Sequence, residues 1–324
     1  MNSPLVAVVT PVYNGAKYLS EALDSVQAQS YPNLVHIVLD NASTDATPEI
    51  LGRYSQARVP VVVRRNSSLL PIAANWNAAV QLVPDEAKYF RILAADDFIA
   101  PDFIARTAAL AERHDNVVVV GCRLHHRGLD EARTDWMAGR EVFEGREAIR
   151  YFLSGAAMII AHQTLIRSEV LKRRRPFFDE SVIACDTDTC LALLRSGDWG
   201  FVHETLATTR EHADTYTAKV KPLGLQLCEH LALISRHAEF AFGAREANSL
   251  FRLYRRYYVR QLLRGFDGER WRRHMDVLAG LGIRLTSADV VDAIVDWPIA
   301  KLRLRPLWSW DVRELAGGMH LERA

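Results

Sequence analysis

Two adjacent aspartates, Asp96 and Asp97, follow the apolar residues 92–95 and precede Pro101 and Asp102. Neighbouring carboxylates repel each other, so this pattern indicates either a solvated turn or a site where a cation lies between the acids and a ligand. If the ligand carries a diphosphate, an acidic pair cannot hold it directly, because both are negatively charged. The pair can instead hold a divalent cation that binds the diphosphate oxygens. The pair therefore predicts an Mg²⁺ or Mn²⁺ site.

Polar residues also follow the first two apolar runs of the chain. If these runs are strands of one doubly wound sheet, their carboxyl ends share the edge where ligands bind. Any one of these residues, taken alone, is also typical of a turn or a helix cap. Their convergence on one edge favours a binding site. The residues are Thr10, Pro11, Tyr13 and Asn14 after the first run, and Asp40, Asn41 and Ser43 after the second.

The segments between these polar clusters carry the patterns that would position them. Short apolar runs rich in β-branched residues predict strands, and apolar residues spaced three or four apart predict helices. Their alternation, with almost wholly apolar strands, indicates a mainly parallel sheet covered by helices on both faces. The predicted strands are 5–10, 34–40, 59–65, 87–95 and 116–124, and the predicted helices are 17–29, 43–56, 71–83 and 100–114.

The composition of the 324-residue chain excludes several classes of protein. Its formal net charge of +1 gives no support for a nucleic-acid partner. Its four cysteines form no CxxC pair, which argues against a zinc ribbon or a disulfide framework. Neither a GxGxxG turn nor a P-loop is present. No run of about 18 apolar residues occurs, and the first residues lack a basic signal-peptide region. We expect a cytoplasmic protein, free or at the inner face of the cell membrane.

Three blocks of the sequence carry a family resemblance. The opening "VVTPVYNGAKYLSEALDSVQAQSYPNLVHIVLDNASTDAT", the segment "AANWNAAV" and the segment "YFRILAADDFIAPDFI" occur in this order. Together they closely resemble the family 2 glycosyltransferases of the GT-A fold, and the resemblance covers about residues 4–215. It implies a Rossmann-like α/β domain and an inverting, metal-dependent transfer of a sugar from a nucleotide diphosphate donor to an acceptor hydroxyl.

The resemblance also implies a role for each residue of the donor site. Asp97 matches the preferred metal ligand of the family, and Asp96 would contact the ribose or a metal-bound water. The sequence departs from the fuller "DADD" form of the motif because Ala94 occupies its first acidic position. Asn75 would lie near the donor. The residues implied to line the base and ribose are Thr10, Pro11, Tyr13 and Asp40.

A catalytic base is implied within "FDESVIACDTDTCLALL". Asp186 matches the aspartate of the family's Glu-Asp pair, Cys185 replaces the glutamate, and Asp188 is the rival for the role. Both acids could instead cap the following helix, since acids are favoured at that position, although capping and catalysis are compatible. In "TREHADTY", Arg210 or His212 would reach the diphosphate or the metal, whereas a lone histidine is often structural.

The second half of the chain is expected to provide the acceptor site and a helical extension. We expect a catalytic domain over 1–218, with a nucleotide-sugar half at about 1–125 and an acceptor half at about 126–218, and a helical region over 219–324. Residues 245–273 hold nine arginines and three acids, and tryptophans and basic residues alternate in the tail. This pattern favours either docking to an anionic membrane or a surface helix packed on the protein. The basic run "KRRRP" is either a solvated loop or a contact for the phosphate of a lipid-linked acceptor.

The resemblance therefore predicts a glycosyltransferase of bacterial surface polysaccharide or glycolipid assembly. UDP is the first candidate for the nucleotide carrier, ahead of dTDP and GDP, and the acceptor would be a glycan or a lipid-linked molecule. A nucleotidyltransferase is the rival enzyme, but its glycine-rich opening is absent. The alternative from another class is a catalytically silent relative that binds nucleotide sugar or serves as a scaffold, which Ala94 and Cys185 at usually acidic positions would support.

Overall fold

A computed structural model describes most of the chain. The described residues are 3–127, 136–210, 212–213, 215, 218, 223–264 and 266–302. The chain divides into two compact units. The first comprises Met1–Gly145, Ile159–Glu180 and Cys185–Glu211, and the second comprises Arg146–Met158, Ser181–Ala184 and His212–Ala324. The boundary expected near residue 218 stays a prediction.

The first unit begins with four parallel strands that alternate with helices, as the sequence predicts. The strands are β1 (Val6–Val12), β2 (Leu34–Asp40), β3 (Val61–Arg65) and β4 (Tyr89–Ile92). The helices are α1 (Leu19–Gln27), α2 (Thr47–Gly52), α3 (Ile72–Val80) and α4 (Phe103–Arg113). The strands lie in the order β3-β2-β1-β4, so their carboxyl ends share one edge of the sheet.

The rest of the sheet is mixed rather than parallel. β8 (Leu165–Arg167) is antiparallel to both β4 and β6 (Val117–Arg127), whereas β6 and β9 (Asp198–Arg210) are parallel. Two short strands pair antiparallel with β9. These short strands are β5 (Phe98–Ile99) and β7 (Val142–Phe143). The helices are α5 (Gly145–Leu153), α6 (Val170–Arg173) and α7 (Cys185–Leu193), with a 3₁₀ turn at Ala161–Gln163. This mixed half brings residues from distant parts of the chain beside β4.

Apolar periodicity accounts for the packing of the first unit. The four residues that the sequence places on one face of α1 are all buried: Leu19, Ala22, Leu23 and Val26. β1 is buried along its whole length, as expected for a strand covered on both faces. The elements that carry the site therefore rest on two buried apolar clusters, to both of which β1 and α1 contribute.

The second unit is helical. It contains α5 from Arg146 onward, together with α8 (Gln226–Phe242), α9 (Ala244–Leu263), α10 (Gly268–Gly280) and α11 (Ser287–Leu302). Tyr254 and Tyr258 of the arginine-rich segment are buried, as the surface-helix interpretation predicts. Tyr258 Oη lies 2.7 Å from His274 Nδ1, forming part of a buried polar cluster. Among the described helices, none has the length and apolarity needed to cross a membrane. Most of the tail rich in tryptophan and arginine lies outside the described residues.

Candidate active site

The loops after β1 and β2 form one rim at the carboxyl edge of the sheet. The backbone N–H of Asn14 donates to Ser43 Oγ at 2.9 Å, and that of Gly15 donates to Thr47 Oγ1 at 2.9 Å. Asn14 adopts a positive φ of 48°, which asparagine tolerates better than most residues. These bonds explain why serine and threonine follow β2, because their hydroxyls satisfy the backbone of the neighbouring loop.

Asp40 organises this rim from within. It is buried at the end of β2, where its Oδ1 accepts the backbone N–H of Ser43 at 2.9 Å and its Oδ2 pairs with Arg65. Arg65 also donates to the carbonyl of Ser43 at 2.8 Å. Both carboxylate oxygens of Asp40 thus have protein partners in this arrangement. Its expected contact with a nucleotide base stays a prediction.

The three site residues expected from β1 and its loop have different surroundings. Thr10 is fully buried, and its Oγ1 lies 2.8 Å from His36 Nε2. Burial lowers the pKa of His36 to about 3, which keeps this imidazole neutral. Pro11 is also buried, whereas the side chain of Tyr13 is 47% exposed at the rim. Of the three, Tyr13 is therefore the side chain that could stack on a ligand, and all three roles stay predictions.

Asn75 belongs to a cluster of three asparagines that ties α3 to the rim. Asn66 Nδ2 donates to Asn41 Oδ1 at 2.8 Å and to Asn75 Oδ1 at 3.0 Å. Asn75 is buried, so its amide holds the loops after β2 and β3 against the start of α3. In this structure it supports the edge of the sheet, and direct contact with a donor stays a prediction.

Asp97 lies at the centre of the carboxylate-rich part of the edge. Only 3% of the residue is exposed. Its Oδ1 accepts the backbone N–H of Arg210 at 2.9 Å, and its Oδ2 lies 3.1 Å from His162 Nδ1. Asp96 is half-buried on the same turn. The structure therefore brings together the acidic pair and the end of β9, which the sequence places more than 100 residues apart.

His162 lies between two of the predicted carboxylates. Its Nδ1 contacts Asp97, and its Nε2 lies 3.7 Å from Asp186 Oδ2. Burial lowers the pKa of His162, but the hydrogen bond and charge of Asp97 and the charges of Asp186 and Asp96 raise it more strongly, to about 9. The imidazolium thus links the acidic pair to the aspartate expected to act as the base.

The two candidate bases lie in the first turn of α7 but in different environments. Asp186 is 22% exposed and borders a cavity of about 10 Å³ that His162 and Trp76 also line. Asp188 is fully buried, and its Oδ2 lies 3.5 Å from Arg174 Nη2. Burial raises the pKa of the Cys185 thiol to about 12, so this neutral group does not replace the carboxylate usual at its position.

The two candidates for binding the diphosphate or the metal lie in different units. Arg210 pairs with Glu21, and its guanidinium lies 4.3 Å from the ring centroid of Tyr18. The backbone N–H of Arg210, rather than its guanidinium, contacts Asp97 at the edge of the sheet. His212 belongs to the second unit, and its part in metal binding stays a prediction.

The donor chemistry for a divalent cation is present at Asp96 and Asp97. Mg²⁺ prefers oxygen ligands and is commonly held by one or two carboxylates together with substrate phosphates. Over the part of the chain that the structure describes, no three histidine, cysteine or acidic side chains converge as a metal-binding group. Asp96 and Asp97 could thus supply one or two ligands, with phosphate and water as the others, but a cation at Asp97 would share its oxygens with the Arg210 N–H and His162.

Sequence reasoning missed His162 and Trp76. The Trp76 ring packs edge-on against both His162 and Phe178, with ring centroids 5.9 Å and 5.5 Å apart. Arg91 also supports His162, because its Nη2 donates to the His162 carbonyl at 2.8 Å. Trp76 lies within the block "AANWNAAV", so its position offered a signal. His162 lies in an irregular region with no spacing pattern that would single it out.

A comparison with protein families decides the family of this chain. Residues 7–175, more than half of the chain, match the model described as glycosyl transferase family 2. The chain belongs to glycosyl transferase family 2. The resemblance inferred from the sequence blocks is thereby confirmed, and the matched segment contains the rim, the acidic pair and His162.

Several curated proteins similar to this chain are described as glycosyltransferases. An uncharacterized glycosyltransferase of Rickettsia prowazekii is 29% identical over 215 residues, which are 65% of this chain and 65% of the relative. The glycosyltransferase GlyG of Streptococcus pneumoniae serotype 4 is 31% identical over 197 residues, covering 56% of this chain and 64% of GlyG. The chain thus spans slightly less than two thirds of the length of these relatives.

Solved structures share the fold of this family 2 chain. Residues 1–349 of S. aureus TarS, in complex with UDP-GlcNAc, match with a TM-score of 0.61 at 13% identity, over 93% of this chain and 92% of that one. The mannosyltransferase PcManGT from Pyrobaculum calidifontis, in complex with GDP-Man and Mn²⁺, matches with a TM-score of 0.59 at 17% identity, over 99% and 88%. These matches confirm the GT-A type of α/β fold followed by helices.

Proposed function

We propose that this chain is an inverting glycosyltransferase that moves a sugar from a nucleotide diphosphate donor to an acceptor hydroxyl. The observation that carries the proposal is the contact of Asp97 and Asp186 with one imidazole at the carboxyl edge of the parallel strands. Ligands of doubly wound sheets bind at this edge, and perturbed titratable groups cluster at functional sites. Membership of family 2 supports the same reaction class.

Asp186 is the base in this proposal. Its carboxylate takes the proton from the acceptor hydroxyl as the acceptor oxygen bonds to the anomeric carbon. The bond from that carbon to the diphosphate oxygen breaks, and its electron pair leaves with the diphosphate. A single displacement of this kind inverts the anomeric centre and needs no covalent sugar intermediate. Asp186 is partly exposed whereas Asp188 is fully buried, which favours Asp186 as the acid that an acceptor would meet.

The donor half of the proposal rests on the neighbouring elements. Asp97 and Asp96 would hold the Mg²⁺ or Mn²⁺, which when bound would offset the charge that grows on the departing diphosphate. His162 would fix the positions of the Asp97 and Asp186 carboxylates relative to each other, because its imidazole contacts both. Tyr13 at the rim, beside Thr10, Pro11 and Asp40, would receive the base and ribose. Arg210 would turn from Glu21 towards the diphosphate.

UDP ranks first as the nucleotide carrier. TarS, a structural neighbour, is solved with UDP-GlcNAc and with UDP, which supports this choice, and the neighbour with GDP-Man keeps GDP as the second candidate. The acceptor would be a glycan or a lipid-linked molecule of bacterial surface-glycan assembly. The helical region would then offer the membrane-facing surface that its arginines suggest.

A binding panel tests the donor site. The purified protein would be titrated calorimetrically with UDP, dTDP, GDP and CDP, each with and without Mn²⁺, beside the Asp97→Ala variant. We expect metal-dependent binding of one nucleotide that is lost in Asp97→Ala. Failure of the folded protein to bind any of the four would contradict the assignment of the donor site.

Turnover tests the base. The rate of nucleotide release from the bound donor sugar would be compared between the wild type and Asp186→Asn. Removing a general base typically lowers a rate by about 10²–10⁴-fold, and we expect a loss in this range with nucleotide affinity retained. Asp115→Asn, at an exposed loop position of the same unit, is the matched control. Nucleotide binding without any turnover in the wild type would instead favour a catalytically silent relative.

A further inference from the structure

A second polar cavity of about 410 Å³ lies at the opposite edge of the sheet. Lys88 and Arg167 line it, and they flank the amino end of β4, where Tyr89 pairs with Arg167 of β8. Asp96 and Asp97 follow the other end of β4. The cavity therefore belongs to the first unit but is separate from the candidate donor site.

More cationic than acidic side chains line the cavity wall. Cationic side chains from three separate parts of the chain line it, and fewer acids do. Glu169, one of these acids, pairs with Arg173, and two of the cations, Lys88 and Arg174, pair with Glu112 and Asp188; none of these three partners lines the cavity. Arg167, Lys172 and Arg175 are the lining cations on which a ligand contact would depend. The cationic residues are Lys88, Arg167, Lys172, Arg174 and Arg175, and the acids are Asp85, Glu86 and Glu169. The run interpreted from sequence as a solvated loop or phosphate contact thus forms one wall of a cavity.

Arg167 is held rigidly at the back of this cavity. Its guanidinium donates to the carbonyls of Val117 at 2.7 Å and Ala111 at 2.6 Å, and the residue is buried. These acceptors are neutral, so the bonds orient the guanidinium without cancelling its charge. A fixed, buried cation of this kind favours an anionic ligand over water.

Ser168 provides an independent indication of a ligand. The residue lines the cavity and is only 8% exposed, and its Oγ has no hydrogen-bond partner among the residues that the structure describes. Leaving a buried hydroxyl unpaired is costly. A ligand oxygen in the cavity would satisfy this hydroxyl after a rotation about χ1.

We propose that this cavity binds the phosphate group of a ligand other than the sugar donor. Its volume suits a small molecule, and arginine and lysine are the usual partners of phosphate oxygens. Lys172 and Arg175, exposed at the cavity mouth, would make the first contacts, with Arg167 and Ser168 behind them. The phosphate could belong to a soluble phosphorylated metabolite or to the headgroup of an anionic phospholipid.

A titration with inorganic phosphate tests whether the cavity binds the phosphate of a soluble molecule. Calorimetry on the full chain would be run with saturating UDP, so that any diphosphate site elsewhere is filled. We expect the Lys172→Gln/Arg175→Gln double variant to raise the Kd for phosphate at least about tenfold, because two charged hydrogen-bonding groups are lost. The matched control, Arg53→Gln/Arg64→Gln, removes two exposed arginines elsewhere in the unit and should leave the Kd unchanged.

Vesicle co-sedimentation tests whether the cavity binds the headgroup of an anionic phospholipid. Vesicles of phosphatidylglycerol in phosphatidylcholine would be compared with pure phosphatidylcholine, using the same variants. Binding to the anionic vesicles that is lost only in the cavity double variant identifies a phospholipid headgroup as the ligand. Phosphate binding without vesicle binding identifies a soluble phosphorylated molecule.

Ser168→Ala separates a ligand role from a structural one. We expect this variant to unfold at the same temperature as the wild type or higher, because an unpaired hydroxyl is removed, while its phosphate Kd rises. The proposal is overturned if the wild type binds neither phosphate nor anionic vesicles, or if the control and cavity variants lose binding equally. Because these readouts need no transfer of sugar, they remain informative even if the proposed activity fails.

Discussion

Two aspartates in one helical turn have opposite environments. Residues two positions apart on an α-helix point about 200° apart, so Asp186 and Asp188 cannot share a face of α7. Asp186 contacts His162 at the sheet edge, whereas Asp188 points inward to Arg174. The residue type alone does not separate these two acids, and the direction of each side chain supports the proposal that Asp186 is the base.

This difference predicts different consequences for the same substitution. Asp188→Asn removes a charged partner of Arg174 from a buried site, and we expect it to lower the free energy of unfolding by about 2 kcal/mol. The folded variant should retain most of its turnover, unlike Asp186→Asn. Urea denaturation of both variants, with activity measured below the unfolding transition, checks this. If Asp188→Asn is stable but inactive, this result would indicate that Asp188, and not Asp186, is the base.

At the scale of elements, the start of α5 is fixed by a close backbone contact. A Cβ at Gly145 would lie 1.9 Å from the Leu194 carbonyl oxygen and 2.2 Å from that of Gly197. The Gly145 N–H also donates to Asp198 Oδ1 at 3.2 Å. Since both obstacles are backbone atoms, neither can move away as the end of a flexible side chain could. Glycine is therefore required where α5 begins.

We expect Gly145→Ala to destabilise the protein by about 3 kcal/mol, near the upper end for overpacking. Gly52→Ala is the matched control, because Gly52 lies at the end of α2, where an added Cβ would meet no atom within 4 Å. Replacing a helical glycine by alanine should there be neutral or stabilising by up to about 1 kcal/mol. Thermal unfolding of the two variants measures the difference in their stability. Equal stabilities would contradict the expected clash of the added Cβ with the two carbonyl oxygens.

At the scale of the whole molecule, the buried His36 makes stability depend on pH. Its folded pKa, about 3, lies below the ordinary histidine value near 6.5 because of burial. The unfolded chain therefore binds a proton that the folded chain excludes as pH falls below 6.5. Stability is lost progressively between pH 6.5 and about 3, and it is unaffected by this group above that window.

The expected loss from His36 is about 2 kcal/mol between about pH 7 and pH 5. His36→Gln keeps a hydrogen-bonding partner for Thr10 but removes the titration. We expect the difference between the unfolding free energies at these two pH values to shrink by that amount in the variant. Urea titrations followed by tryptophan fluorescence at both pH values measure it. An unchanged difference would show that other groups cause the acid sensitivity.

The sequence by itself determined the elements of the parallel half and the edge that carries the polar residues. The first four strands and helices follow from local apolar periodicity, which reflects burial of one or both faces of each element. Parallel strand ends necessarily meet at one edge, so the acidic pair and the loops after β1 and β2 were expected together. The resemblance added Asp186 to this set.

Only the tertiary structure decided which residues join these elements. His162 reaches Asp97 and Asp186 because the antiparallel strand β8 and its preceding turn pack beside β4. Lys88 and Arg167 likewise form a cavity with the basic run. Local periodicity records which face of an element is buried, but it contains no information on which distant segment covers that face. The contacts of His162, Lys88 and Arg167 form only because β8 pairs with β4 and β6 in the mixed half of the sheet.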